Sequence, residues 1–333
     1  MSFFDHKDPG HPQLNEKSAQ QKSHLRLASR FQTHMAIANF ALLGVSVIGC
    51  DLTNIHIHIA SYGSGFFMAL LMIALIAIYW KDEDHPTMVM SILVIPWILI
   101  LIPLMIFPML IAAHLALPIQ DARLARIDSL SGVNVPAIAA WATHHWLGRL
   151  INYSYALLAP LLVIAVLLPI AAGRLVEARM FLVSNVVAIA LGVTAFCLVP
   201  AVGPWYPHQF SPSTSQLLCE HTFLALRAPG SYTYTQTVGV ICFPSFHTIW
   251  AILSAAALWS FKRLRIPLAV LSMSIILSTM TTGWHYFADV IAGIIIAILS
   301  IVCSRFVARN FYLPHCVRVP SQGALMQQEE VAP

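Results

Sequence analysis

Phe243-Pro244-Ser245-Phe246-His247-Thr248-Ile249-Trp250-Ala251-Ile252-Leu253 opens the stretch from which the fold is read. A proline and a hydroxyl residue, both suited to a helix start, lead into an apolar run that continues to about Phe261. One histidine sits at the mouth of that run. A later run, from about Trp284 to Cys303, begins with His285-Tyr286-Phe287-Ala288-Asp289. A histidine and a carboxylate four positions apart share one helix face, where the acid can orient the imidazole. Two histidines and an acid make a sufficient set for a nucleophile, a proton shuttle and a support, provided that they meet in space.

Composition says what surrounds these segments. The chain has 333 residues, of which 58% are hydrophobic and only 10% charged, and its mean hydropathy is +0.76. A soluble domain carries about 25% charged residues, so the shortfall points to a multi-pass membrane protein. The formal net charge of +4 does not point to nucleic acid, because the basic residues fall at the ends of apolar runs. Residues 1–33 hold Lys7, Lys17, Lys22, Arg26 and Arg30 and no apolar core, so they read as a cytoplasmic polar tail rather than a signal peptide. The six cysteines show no metal-ligand spacing, although Cys219 and Cys242 are candidates for a disulfide.

Taken in order, the apolar runs predict about eight transmembrane helices. Three fall within 34–117: Met35 to Cys50, Phe66 to Trp80, and Met88 to about Leu117, where Pro96, Pro103 and Pro108 predict a kink or tilt. Residues 118–150 differ. Asp121 to Asp128 mixes charge with apolar residues at helical spacing, and Trp141 and Trp146 flank His144 and His145, a pattern that predicts interfacial amphipathic helices. Five more runs follow: 151–172, 180–202, 244–261, 266–282 and 284–303. A tail, 308–333, closes the chain.

The basic residues test this layout. With both termini in the cytoplasm, the five inner segments hold fourteen of the eighteen Lys and Arg, leaving Arg123, Arg126, Arg149 and Arg227 outside. That asymmetry played no part in choosing the spans, and it matches the positive-inside rule. It also places the 203–243 loop, His247 and His285 at the same non-cytoplasmic face.

Three motifs in order resemble the type 2 phosphatidic acid phosphatase (PAP2) superfamily over roughly residues 118–307. Pro244-Ser245-Phe246-His247 matches the family's Pro-Ser-Gly-His except at the glycine, and Ser278, His285 and Asp289 match its third motif with Thr279 where an arginine is usual. The first motif, a Lys and an Arg-Pro, is replaced by Gly203-Pro204-Trp205-Tyr206-Pro207. Those departures resemble the inositolphosphotransferase branch, which includes inositol phosphorylceramide synthases, and Asp121 to Asn134 resembles bacterial members of it.

The resemblance implies an all-α integral membrane enzyme with a PAP2-like catalytic bundle, expected in a bacterial inner membrane. It implies that His285 attacks phosphorus to form a phosphohistidine, that Asp289 supports the ring, and that His247 protonates the departing oxygen. Ser245 and the backbone N–H groups after Pro244 become candidates for phosphate oxygens, since helix starts attract anions.

Phosphoryl transfer needs its equatorial charge stabilised, and the family's basic residues are missing here. A diester carries less charge than a monoester, which favours a phospholipid donor and a lipid or alcohol acceptor over a phosphatase using water. Arg149, Arg227, Tyr206, His208 and Trp205 are the outer-face candidates for substrate contact. No metal and no cofactor is expected, since two histidines carry the chemistry. A transporter is disfavoured, because after position 150 few charges apart from Asp289 interrupt the apolar runs.

Overall fold

The computed structural model describes residues 12–57, 94–115, 117–206, 210–235 and 239–308. The first helix, α1, covers Pro12–Leu52. The polar segment expected as a tail is therefore helical from Pro12 onward. Proline is well placed at a helix start, and the Gln, Lys, Glu and Ala that follow are good helix formers. The predicted run 66–80 lies outside the described residues. Helix α2, Val94–His114, runs through Pro96, Pro103 and Pro108 as one element.

The stretch expected at the interface forms α3 (Asp121–Leu130), α4 (Val135–His144) and α5 (Trp146–Ser154). Asn134 caps α4 by accepting from the Ala137 N–H at 3.0 Å. The structure departs from the amphipathic reading of α3. The face turned inward carries Asp121, Leu124 and Asp128, while Ile127 and Leu130 are exposed. A 3-10 turn at Tyr155–Leu157 joins α5 to α6, Leu158–Ala171, so the fourth predicted span begins earlier than expected, at Trp146. Helix α7 is Leu175–Leu198 and α8 is Thr214–Leu226. The bundle ends with α9 (Phe246–Leu258), α10 (Arg265–Thr281) and α11 (Phe287–Val307).

One departure from an all-α chain is a pair of short parallel strands, β1 (Ile55–Ile57) and β2 (Tyr232–Tyr234), with Ile55 opposite Tyr232.

Among the described residues, five helices are long and apolar enough to cross a membrane: Arg30–Leu52, Trp146–Ala171, Leu175–Leu198, Lys262–Thr281 and Phe287–Val307. Met105–His114 and Phe246–Leu258 are apolar but shorter. This fits a multi-pass membrane protein, without establishing eight crossings. The outward faces agree. Ile266, Val270 and Met273 on α10, and Ile295, Ile298 and Val302 on α11, are exposed, as suits acyl chains rather than water.

Helix α9 is the axis, packing against α6, α7, α10 and α11. Small residues allow the close approach expected where lipid removes the hydrophobic drive between helices. A Cβ on Gly293 of α11 would lie 2.8 Å from the Ser245 carbonyl oxygen. Several buried polar side chains bond within their own helix, as Asn185 does by donating to Phe181 O at 2.8 Å, while Ser272 of α10 donates across to Ala251 O of α9 at 3.2 Å. A second apolar cluster, containing Met109, Phe196, Trp205, Phe223 and Tyr234, lies at the end of the bundle where α9 begins.

Candidate active site

The two histidines are delivered by two different helix ends. His247 lies in the first turn of α9, whose N-cap, Ser245, accepts from the Thr248 N–H at 3.3 Å. His285 follows the C-terminus of α10, which closes as a Schellman motif. The Trp284 N–H donates to Thr279 O at 3.0 Å, and Gly283, at φ +74°, donates to Met280 O at 2.9 Å. Thr279 also accepts from the His285 N–H at 3.1 Å. The position where an arginine is usual thus supplies a carbonyl that fixes the backbone of His285. Gln216 of α8 holds the same corner, donating to Thr282 O and Gly283 O at 3.3 and 3.1 Å.

These ends converge. The rings of His247 and His285 lie 6.2 Å apart between centroids, tilted by 53°, and both line a cavity of about 200 Å³. Met105 and Met109 of α2, Tyr155, Trp205, Trp250 and Trp284 form much of its wall, with Cys219, Ile241, Cys242 and Phe246. Among the described residues, no lysine or arginine lines it.

Behind His285 the hydrogen bonds are specific. Its Nδ1 lies 2.8 Å from the Cys242 carbonyl oxygen and 3.4 Å from Asp289 Oδ2. A carbonyl can only accept, so Nδ1 carries the proton and Nε2 is the nitrogen left with a lone pair. The nearer orienting group is therefore a main-chain carbonyl, with the carboxylate second. Asp289 Oδ2 also accepts from the Tyr286 N–H at 2.8 Å and from the Cys242 thiol at 3.1 Å. Burial, and next the Asp289 charge, push the Cys242 thiol well above its ordinary pKa, so it stays a donor. Burial pushes Cys219 up to about 12, and its thiol lies 3.3 Å from Gly239 O. Both cysteines are free thiols, so the disulfide considered from sequence is absent.

Cys242, His285 and Asp289 place their ligand atoms within 4.8 Å of one another. Among the described residues this is the group whose donor atoms lie close enough to hold a metal ion. Cys242 Sγ and His285 Nδ1 both carry protons in their hydrogen bonds, however, and a metal would have to displace those protons.

Two carboxylates outside the motifs support the site. Asp121 accepts from the Val202 and Gly203 N–H groups at 2.9 and 2.8 Å and from Tyr286 Oη at 3.0 Å. Asp128 accepts from the Phe287 and Ala288 N–H groups at 2.8 and 2.9 Å, the free donors at the start of α11. Burial raises both carboxyls above their ordinary pKa, and these hydrogen bonds pull each partly back.

Other predicted contacts sit elsewhere. Trp205 is buried and lines the cavity, its Nε1–H donating to Glu220 at 3.1 Å. Ser245 is fully buried and serves as a cap. Tyr206 packs beside the second apolar cluster. Arg149 is exposed on α5. Arg227 donates to the carbonyls of Ala113 and Leu117 near the end of α2, and its guanidinium lies 5.0 Å from the Phe223 ring centroid. His208 lies outside the described residues. Tyr155 went unsuspected in the sequence, where it belongs to none of the three motifs.

Phe246, where the family has glycine, packs its ring against Gly192 of α7. A Cβ there would meet that ring at 2.5 Å. The larger residue in one helix is matched by an absent side chain in the next.

A PAP2 superfamily model matches residues 122–303, more than half of the chain. The chain belongs to the PAP2 superfamily. The matched span of this PAP2 protein runs from the first turn of α3 to the last turns of α11 and so includes both histidines, Asp128 and Asp289, while Asp121 stands immediately before it. Members of the superfamily are phosphatases and phosphotransferases. Comparison with curated proteins and with solved structures returned no significant match.

Proposed function

We propose that this protein is a lipid phosphotransferase that moves a phospho-headgroup, such as inositol phosphate, between lipids at the non-cytoplasmic face of the membrane. The observation that carries the reading is a cavity bordered by His247 and His285 and, among the described residues, lined by no lysine, arginine or carboxylate. A dianionic monoester in such a cavity would lack the cations that phosphoryl transfer normally uses. A diester brings one charge fewer and an apolar body that suits methionine and tryptophan walls.

In this reading the lone pair of His285 Nε2 attacks phosphorus. The N–P bond forms as the P–O bond to the donor's glyceride breaks, and His247 gives its proton to the departing oxygen. The Cys242 carbonyl keeps the proton on Nδ1, and Asp289 stabilises the positive ring. His247 then takes the acceptor's hydroxyl proton, the acceptor oxygen attacks phosphorus, and the N–P bond breaks. The apolar walls keep water from competing with the alcohol.

The purified protein, given a phospholipid labelled in its headgroup phosphate, tests this with and without ceramide or another lipid alcohol. The expected result is a labelled acceptor lipid together with released diglyceride. Inorganic phosphate from phosphatidic acid, with no transferred headgroup, would overturn it in favour of a phosphatase.

A further inference from the structure

Tyr155 sits where the chain changes its helical pitch. Within one long apolar helical stretch, Trp146–Ala171, the three residues Tyr155–Leu157 tighten into a 3-10 turn. Such an interruption frequently marks a functional position. The residue at this turn makes a ring contact. The Tyr155 phenol lies on the His247 imidazole with centroids 3.9 Å apart and planes 21° from parallel. The Trp284 ring lies nearly parallel to Tyr155 at 6.4 Å.

The two catalytic candidates are held differently. His285 has a carbonyl and a carboxylate at its Nδ1. Among the described residues, His247 has no hydrogen-bond partner, and its close neighbour is the face of Tyr155.

We infer that Tyr155 is the positioning residue of His247: its ring face sets the imidazole plane and favours the imidazolium form that must deliver the proton. The inference rests on His247 acting as the general acid. An aromatic face attracts a cation through its quadrupole, and tyrosine is among the better rings for this. The effect matters where no carboxylate is available. Among the described residues, the other titratable groups around the cavity are His285 and the thiols of Cys219 and Cys242, with Asp289 behind His285 and Glu220 behind Trp205. None of them offers His247 a negative charge directly. Tyr155 itself neither gives nor takes a proton in the step. The proton passes from His247 to the departing oxygen as the P–O bond breaks.

The test compares Tyr155→Phe, Tyr155→Leu and a ring-fluorinated phenylalanine at position 155, reading kcat against pH in detergent-solubilised full-length protein. The alkaline limb of that profile reports loss of the acid's proton. Tyr155→Phe keeps the face, so its limb should stay at the wild-type pH. Tyr155→Leu should lower kcat by about tenfold or more and move the limb down by roughly half a pH unit, with KM little changed. Fluorination keeps the ring's shape but withdraws its electrons, so it should move the limb the same way even if the leucine variant does not fold.

An unmoved limb in both the leucine and fluorinated variants, with His247→Gln still inactive, would overturn the role of Tyr155 alone. Full activity of His247→Gln would overturn this inference together with the reading beneath it.

Discussion

His247 and His285 face one cavity with their ring centroids 6.2 Å apart, although 37 residues separate them in the chain and each stands at a different helix end. In the proposed mechanism, a phosphoryl group held against His285 Nε2 would have its departing oxygen within reach of His247. If His247 is the acid, the need for it depends on the leaving group. His247→Gln should slow headgroup transfer from a natural lipid by roughly 100- to 10,000-fold. With a nitrophenyl phosphodiester, whose phenolate leaves without a proton, formation of the enzyme intermediate should recover most of that loss. Stopped-flow release of nitrophenolate checks it.

Asp128 holds the first turn of α11 from another helix, through the N–H groups of Phe287 and Ala288. Asp128→Ala leaves both donors without their carboxylate next to the segment that carries His285. It should destabilise the protein by about 1–3 kcal/mol, read as a lowered unfolding midpoint in detergent. Asp128→Asn, which still accepts a hydrogen bond, should cost less.

Gly283 has φ +74°, and a Cβ there would stand 2.5 Å from the Phe210 ring. Gly283→Ala therefore strains the backbone by roughly 1 kcal/mol or more and shifts the corner that carries His285. Activity should fall by more than the loss of stability explains. Comparing kcat with the unfolding midpoint in the same preparation separates the two effects.

Gly192 and Phe246 form a size-matched pair across α7 and α9. Gly192→Val should overpack that contact and destabilise by about 1–3 kcal/mol. Combining it with Phe246→Ala should recover part of the loss. A double-mutant cycle with a favourable coupling term is the expected reading.

Much of this architecture was legible in the sequence because lipid imposes simple rules. Long apolar runs mark helices, and the distribution of Lys and Arg grouped His247, His285 and Asp289 on one face. The family motifs suggested a role for each of the three. What stayed hidden depends on tertiary contacts that leave no periodic trace. Asp121 and Asp128 looked like the polar side of an amphipathic helix, yet they turn inward because unsatisfied N–H groups of α11 and of the 202–203 loop meet them there. Ser245 looked like a phosphate ligand, and its hydroxyl is taken by its own helix start. The orienting carbonyl of Cys242 belongs to the backbone, where side-chain motifs say nothing. Tyr155 meets His247 from a 3-10 turn, through a tertiary ring contact that no sequence motif marks.

The central claim is that His285 carries the phosphoryl group, and trapping that intermediate tests it most directly. The protein is mixed with a labelled phosphodiester donor, without acceptor, and quenched in alkali, where phosphohistidine survives. Mass spectrometry should then find the label on His285, and His285→Ala should abolish it. Label on another residue, or turnover at the wild-type rate in His285→Ala, would contradict the account.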